Sequence, residues 1–303
     1  MIRDGEGFDP EIGSDVGVSD GCIRDMLARV AAIGYGGDVS MFLPFATIAA
    51  MLTFSLQSGS NGNSIYVEAD GARLLFDAGI SGLTAERRMA IHGRDIRDVD
   101  ALIISHDHVD HVRGAGVYHR KYGMPVYITK PTMEATWCEL GEISDLRFFG
   151  SGDALSFGHV TVYTIRTPHD AADGVAFVVE GEGKRLGILT DLGHPFAGLQ
   201  ELLEEVDAAY LETNYDPKML DRGSYPPHLK SRIRGPGGHL SNLESATMLK
   251  ACSRRRPKWL AVAHLSEDNN RPELAIDAQH QAVGRSYPVY HASRNRVSEI
   301  LEV

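Results

Sequence analysis

The order of apolar segments in this chain predicts an α+β fold in which two sheets pack face to face with helices outside them. Three observations lead there. Short apolar runs separated by turn residues recur from Met51 onward, helical stretches lie between several of them, and polar residues able to bind metal sit where runs stop.

Taken in order, Leu52 to Leu56, Ser64 to Glu68 and Ala72 to Phe76 read as three short strands, the last two joined by the turn Ala69-Asp70-Gly71 as a meander. Asp100 to Ser105 is a nearly continuous apolar run, the pattern of a strand buried on both faces. It stops abruptly at His106, so its end points residues into a loop at a sheet edge. Further strands are expected at Val126 to Thr129, Val160 to Ile165, Val175 to Val179, Arg185 to Leu189 and Ala208 to Leu211. A helical stretch, Leu243 to Ala251, then leads into the strand Trp259 to Ala263, which ends at His264. The chain shows no repeat of fixed period and no heptad run.

With 303 residues and 43% hydrophobic content, the chain can bury one large core or two modest ones. Residues 1 to 50 are rich in Gly, Asp and Ser and read as a poorly ordered extension, or as the product of an upstream start with Met51 the natural one; residues 51 to 303 form the folded domain. The extension holds eight acids against three arginines, nearly half of the net charge of −11. An acidic balance argues against a protein that coats nucleic acid electrostatically, yet leaves room for basic patches around a cleft. Cys22, Cys138 and Cys252 lie far apart without CxxC spacing, as free thiols in a reducing cytoplasm do. The longest apolar run, Met41 to Phe54, contains Pro44, falls short of the ~20 residues a membrane span needs and lacks signal-peptide features. A cytoplasmic protein with no membrane partner is therefore expected, its oligomeric state open.

The segment Ser105-His106-Asp107-His108-Val109-Asp110-His111 packs three imidazoles and two carboxylates into one loop. Mixed imidazole and carboxylate ligands suit zinc and related divalent ions. His106 and His108 are two apart and face the same way in an extended segment, leaving Asp110 and His111 to turn toward a second ion. The bland alternative is a solvated loop with incidental histidines, against which the density of the cluster argues. His169, Asp191 and His264 each sit where a strand ends or a loop begins. A lone histidine there is more often a surface or core residue than a ligand, but strand ends on one sheet edge converge, so three of them can complete two coordination shells.

The motif His106-x-His108-x-Asp110-His111, followed by His169, Asp191 and His264, resembles the ordered ligand set of the metallo-β-lactamase superfamily. That resemblance implies an αββα sandwich and two divalent metal ions, Zn or Mn, with His106, His108 and His169 on one, Asp110, His111 and His264 on the other, and Asp191 bridging them. Ser58 to Ser64, Phe76 to Gly79, Pro168 to Ala172, Gly238 to Asn242 and His264 to Asn270 together resemble the WalJ/YycJ family, described as DNA exonucleases and related to RNase Z. The likeness runs from about residue 51 to 303. The chain departs from it in the long N-terminal extension, in Ser105 where many superfamily members carry Thr, and in Asp107 where WalJ-like chains often carry Glu.

The function implied is a metal-dependent phosphodiesterase on nucleic acid, DNA before RNA, and by resemblance a 5′ to 3′ DNA exonuclease. Two ions about 3.5 to 4 Å apart lower the pKa of a shared water and clamp the attacking and leaving oxygens. Asp110 either orients the resulting hydroxide or serves purely as a ligand. His239, in Gly-His-Leu-Ser-Asn at the start of a predicted helix, is placed to protonate the leaving oxygen, in a segment that resembles the HST-containing stretch of RNase Z; the alternative is a helix cap. Glu212 is placed to hold His239 in its tautomer and Asp77 to support a ligand, unless both are turn formers. Candidate substrate contacts are Ser60, Asn61 and Asn63 in a turn, and Lys230 and Arg232 in a basic segment just before His239; Arg254 to Lys258 is a second basic run. Competing readings are a thioester, ester or lactam hydrolase on the same fold, and a binding module with a vestigial metal site.

Overall fold

The computed structural model describes residues 50 to 136 and 140 to 303; the N-terminal extension with Cys22, and Cys138, lie outside the described residues. Two seven-stranded sheets carry the described chain. The first contains β1 (Leu52–Gln57), β2 (Ser64–Ala69), β3 (Ala72–Phe76), β4 (Ala101–Ile103), β5 (Val126–Thr129) and β6 (Leu146–Phe149) in that spatial order, with β14 (Leu301–Glu302) added beside β1. The second runs from β7 (Ala154–Phe157) through β8 (Val160–Arg166), β9 (Val175–Gly181), β10 (Lys184–Leu189), β11 (Ala208–Glu212) and β12 (Trp259–Ala263) to β13 (Val289–His291). Helices α1 (Gly82–Ile91), α2 (Val109–Val112), α3 (Ala115–Tyr122) and α4 (Lys130–Ala135) belong to the first half of the chain. In the second half come α5 (Leu199–Glu205), α6 (Pro217–Arg222), α7 (Pro227–Arg234), α8 (Asn242–Ala251) and α9 (Pro272–Val283).

Because side chains alternate along a strand, each sheet has two apolar faces. Ile65, Val67, Leu74 and Phe76 point inward from the first sheet and meet Val162, Phe177, Val179, Leu186 and Ile188 from the second. Phe76 and Phe177 touch across the gap with ring centroids 5.0 Å apart, and burying such a ring contributes roughly 1.5–3 kcal/mol. The outer face of the first sheet, through Phe54, Tyr66, Leu75 and Leu102, is covered by Met89 of α1 and Tyr118 of α3. Val178, Leu189, Leu211 and Leu260 of the second sheet are covered by Leu202 and Leu203 of α5 and Leu249 of α8. The result is the αββα sandwich that the alternation requires.

The meander of β1, β2 and β3 pairs antiparallel, with Thr53 opposite Val67 and Val67 opposite Leu74. The run Asp100 to Ser105 forms a ladder only over Ala101–Ile103, because the Ser105 N–H leaves the sheet to donate to Asp77. Strands β6, β7, β13 and β14 carry no apolar run of the kind that marks the others: Arg147 and Phe148 of β6 are exposed, and β14 is two residues long.

The two hairpin turns Asp70-Gly71 and Glu182-Gly183, one from each sheet, clasp one another. Asp70 N–H donates to Glu182 Oε1 at 2.9 Å, and Glu182 N–H donates to Asp70 Oδ2 at 2.7 Å. Both acids adopt positive φ, +47° and +52°, with a glycine following, the geometry of tight hairpin turns. Strands β3 and β10 start at this clasp and run away from it toward Asp77 and Asp191.

Candidate metal centre

Six strands deliver polar residues at or just past their C-terminal ends: β3 gives Asp77, β4 Ser105 and His106, β8 His169, β10 Asp191, β11 Glu212, and β12 His264. Three of them, Asp77, Asp191 and His264, take left-handed φ values of +64°, +54° and +56°. Such backbone costs of order 1–3 kcal/mol for a non-glycine residue and persists where surroundings enforce it. After Ser105 the chain bends at Asp107 and returns to extended backbone at His108, which caps α2 at φ −65°, and Asp110 and His111 sit on that short helix. The helix is pressed against the loop after β3: Ala78 N–H donates to His111 O at 2.7 Å, Asn63 N–H to Asp110 O at 2.8 Å, and a Cβ on Gly79 would lie 1.6 Å from Asp110 O. Only glycine fits there.

The hydrogen bonds fix which ring nitrogens face inward. Ser105 has one hydroxyl proton and donates it to Asp77 Oδ2 at 2.9 Å, so its oxygen accepts from His106 Nδ1 at 2.9 Å. That leaves His106 Nε2 bare; it is buried without a hydrogen-bond partner. His111 Nδ1 donates to Asp77 Oδ2 at 2.7 Å and His169 Nδ1 to the Gly238 carbonyl at 2.8 Å, which turns both Nε2 atoms toward Asp191, at 3.3 and 3.7 Å. His108 Nδ1 lies 3.2 Å from His169 Nε2. His264 Nε2 lies 3.4 Å from Asp110 Oδ2.

Ligand atoms of His106, His108 and His169 lie within 4.8 Å of one another, as do those of Asp110, His111 and His264, and those of His106, His111 and Asp191. Asp191 is 3% exposed, and neither carboxylate oxygen has a hydrogen-bond partner among the described residues. A buried carboxylate without hydrogen bonds is costly unless a cation meets it. The donor set, neutral imidazoles with carboxylates, is the one divalent ions take. The residues therefore fit a divalent metal centre, with Asp191 in reach of both ligand groups.

Electrostatics agree. Burial opposes charge on Asp191, but His264, His111 and His169 outweigh it and hold the carboxyl below its ordinary range. Burial likewise opposes charge on the His111 ring, but Asp191, Asp77 and Asp110 push it up to about 9. His106, buried and surrounded by other imidazoles, is held well below the ordinary histidine range and stays neutral.

Beside the candidate ligands stands a second unit. His239 Nδ1 lies 2.6 Å from Glu212 Oε1, while Glu212 Oε2 accepts from Leu192 N–H at 2.8 Å. Burial would raise the Glu212 carboxyl, but His239 and His264 outweigh it and hold it well below the usual carboxylate range. His239 is placed just ahead of α8, whose capping box of Ser241 and Glu244 anchors the segment.

Of the remaining candidates, Ser60 and Arg232 line a cavity of about 350 Å³ together with His108, Asp110, Asp191, His239 and His264. Asn63 is buried against the ligands, its amide 2.9 Å from His111 Nε2 and 3.3 Å from Asp110 Oδ2, and holds the loop rather than facing the cavity. Asn61 is exposed and donates to Arg294 O at 3.4 Å. Lys230 does not line the cavity: its Nζ donates to the carbonyls of Asp221 and Gly223, tying α7 back to α6. The second basic run precedes β12 at the end opposite His264, and Arg254 and Arg255 pair there with Glu204 and Asp207. Sequence reasoning passed over Ser105 as the group that orients His106, and over Ser58, whose Oγ accepts the His264 N–H at 2.8 Å. It also missed Asp170, which grips Arg232 through two bonds of 2.6 and 2.9 Å. Single polar residues in loops give no periodic signal.

With this geometry in place, comparison with known proteins is direct. Residues 58–210 match the model of the metallo-beta-lactamase superfamily. Exodeoxyribonuclease YycJ of Bacillus anthracis is 36% identical over 222 residues, covering 73% of this chain and 84% of that protein. The chain belongs to the YycJ/WalJ family of the metallo-beta-lactamase superfamily. Exodeoxyribonuclease WalJ of Streptococcus pneumoniae, 34% identical over 259 residues, extends the match to 82% of this chain and 96% of that one. Among solved structures, the metallo-beta-lactamase fold protein YhfI from Bacillus subtilis superposes with a TM-score of 0.65 at 16% identity, covering 84% of this chain and 100% of YhfI. As a member of this family the chain is a metal-dependent hydrolase. No helix among the described residues is long and apolar enough to cross a membrane.

Proposed function

We propose that this protein hydrolyses phosphodiester bonds in nucleic acid from a chain end, with DNA the preferred substrate and 5′ to 3′ the direction. The observation that carries this reading is the buried Glu212–His239 pair, with His239 Nδ1 only 3.6 Å from Asp191 and its ring lining the same cavity as the metal ligands. The leaving alkoxide of a phosphodiester needs a proton, and an imidazolium held through its Nδ1–H by a carboxylate can give one from Nε2. The YycJ and WalJ relatives, named exodeoxyribonucleases, supply the choice of DNA and of an end.

In this reading His106, His108 and His169 would hold one divalent ion, Asp110, His111 and His264 would hold a second, and Asp191 would be shared between them; Zn or Mn would suit the donors. When bound, two such ions activate water and neutralise charge on the scissile phosphate. Asp77 acts through His111 and Ser105, Glu212 through His239, and Arg232 and Ser60 lie where phosphate and sugar pass. In this reading the protein acts in the cytoplasm.

The test is hydrolysis of end-labelled single- and double-stranded DNA and of a structured RNA by wild type and His108→Ala, with Mn or Zn supplied. Progressive shortening of DNA from its 5′ end by wild type alone is expected. Intact nucleic acids, together with turnover of a simple thioester or lactam, would reassign the site to small-molecule hydrolysis.

A further inference from the structure

The cavity beside the metal ligands has two chemically different sides. One is made by the ligands themselves; the other is the hairpin of α6 and α7, which contributes Tyr225, Leu229, Ile233 and Arg232. Tyr225, Leu229 and Ile233 form a small apolar cluster with Tyr215 and Leu220, separate from the sandwich core. The Tyr225 hydroxyl donates to Asp268 Oδ2 at 2.9 Å, on the loop that follows His264, so the ring is tethered to the ligand-bearing loop while remaining partly exposed. Val109, set between the ligands His108 and Asp110, is 56% exposed and lines the same cavity. A metal centre for a purely charged substrate has no use for an aromatic ring and two aliphatic side chains at its mouth.

We infer that this wall is a seat for one unpaired terminal nucleotide, its base against Tyr225, Leu229 and Val109 and its phosphate between Arg232 and the metal ligands. The inference rests on the nuclease reading above and adds the form of substrate: a single-stranded or frayed end. Nucleobases stack on aromatic side chains whatever their sequence. The cavity of about 350 Å³ is at the small end of ligand pockets and has room for a nucleotide-sized group. Arg232 contributes Nε and one terminal nitrogen to Asp170, and its Nη1 has no hydrogen-bond partner among the described residues, leaving one edge of the fork for a phosphate oxygen. Asp170 follows the ligand His169 directly, so it positions the guanidinium relative to the metal centre.

The test compares a single-stranded oligonucleotide with a normal 5′-terminal nucleotide against the same strand whose terminal nucleotide lacks a base, and against a blunt duplex, using the full chain with Mn. Wild type should show a KM about tenfold higher on the base-free end and slow initiation on the blunt duplex relative to a single-stranded end, the size expected for one base–aromatic stack. Tyr225→Ala should raise KM about tenfold on the normal end and leave the base-free end unchanged, while Tyr225→Phe keeps wild-type discrimination. Equal KM for the two ends in wild type overturns the nucleotide seat without involving any variant, and leaves the nuclease reading standing. Loss of discrimination in Tyr225→Phe overturns it too, by making the tether and not the ring the active feature. Failure of wild type to cut any of the three substrates removes the nuclease reading and the seat with it.

Discussion

Replacing Glu212 by glutamine isolates what the carboxylate does for His239. The side chain is completely buried, with one oxygen on His239 Nδ1 and the other on the Leu192 N–H. A glutamine must keep its carbonyl toward Leu192, since an amide N–H cannot face another donor, and this turns its NH₂ group toward the ring. The charged ring loses its anionic partner. Charge-assisted bonds of this kind contribute roughly 1.5–3 kcal/mol, which converts to about 10- to 100-fold in rate. Glu212→Gln should therefore lower kcat on single-stranded DNA by that factor. His239→Ala should cost about 10²- to 10⁴-fold, and the double variant should be no worse than His239→Ala alone, since the two act as one unit. Metal content, measured by emission spectrometry, should stay unchanged in all three. A kcat within about threefold of wild type in Glu212→Gln refutes the argument, and loss of metal alongside activity would make Glu212 a ligand instead.

Removal of metal by a chelator should lower the melting temperature by several degrees and restoration of Zn or Mn should return it, because ligand bound only to the folded state stabilises it by mass action; an unchanged melting curve would mean that Asp191 is satisfied some other way. Apparent metal affinity should rise with pH between pH 7 and 9. The sign follows from His111, whose ring in the metal-free fold is pushed up to about 9, and from His264, held well above the ordinary histidine range, so that at neutral pH protons compete with the ion; titration calorimetry showing flat affinity across that window would count against it. Gly79→Ala should lose metal and melt several degrees lower, since overpacking costs about 1–3 kcal/mol and the added Cβ displaces Asp110; full metal occupancy in that variant would show that the loop yields elsewhere.

Much of the architecture was legible because burial on both faces writes itself as apolar runs. Val175 to Val179 and Trp259 to Ala263 are fully buried in the structure and were continuous in the sequence. Strands held mainly by backbone pairing at a sheet edge, such as β6 and β14, carry no such mark and were not foreseen. The candidate ligands were legible for a different reason: each stands where an apolar run stops, and the dense loop from His106 to His111 is hard to mistake. The orienting groups were legible only in part: Asp77 and Glu212 also stand where apolar runs stop and were expected to support a ligand and His239, and they lie beside His111 and His239, whereas the orienting roles of Ser105, Asn63 and Asp170 were not legible. Ser105, Asn63 and Asp170 act through one or two hydrogen bonds to residues 28, 48 and 62 positions away, and separations of that kind leave no periodicity. Basic residues were the least legible, because a lysine's sequence neighbours do not reveal that its ammonium is folded back onto carbonyls, as in Lys230.

The reciprocal clasp between Asp70 and Glu182 gives the sandwich a mechanical asymmetry. At that end the two sheets are joined by backbone-to-carboxylate bonds that need no ion; at the other, a strand's length or roughly 20 Å away, candidate ligands from both sheets converge and would be joined through a bound metal. The molecule is thus built like a clothes peg, with its pivot at the turns and its jaws at the candidate metal centre. Loss of metal loosens the jaws and leaves the pivot closed, so amides at the ends of β3, β10 and β12 should exchange with solvent long before those beside Asp70 and Glu182.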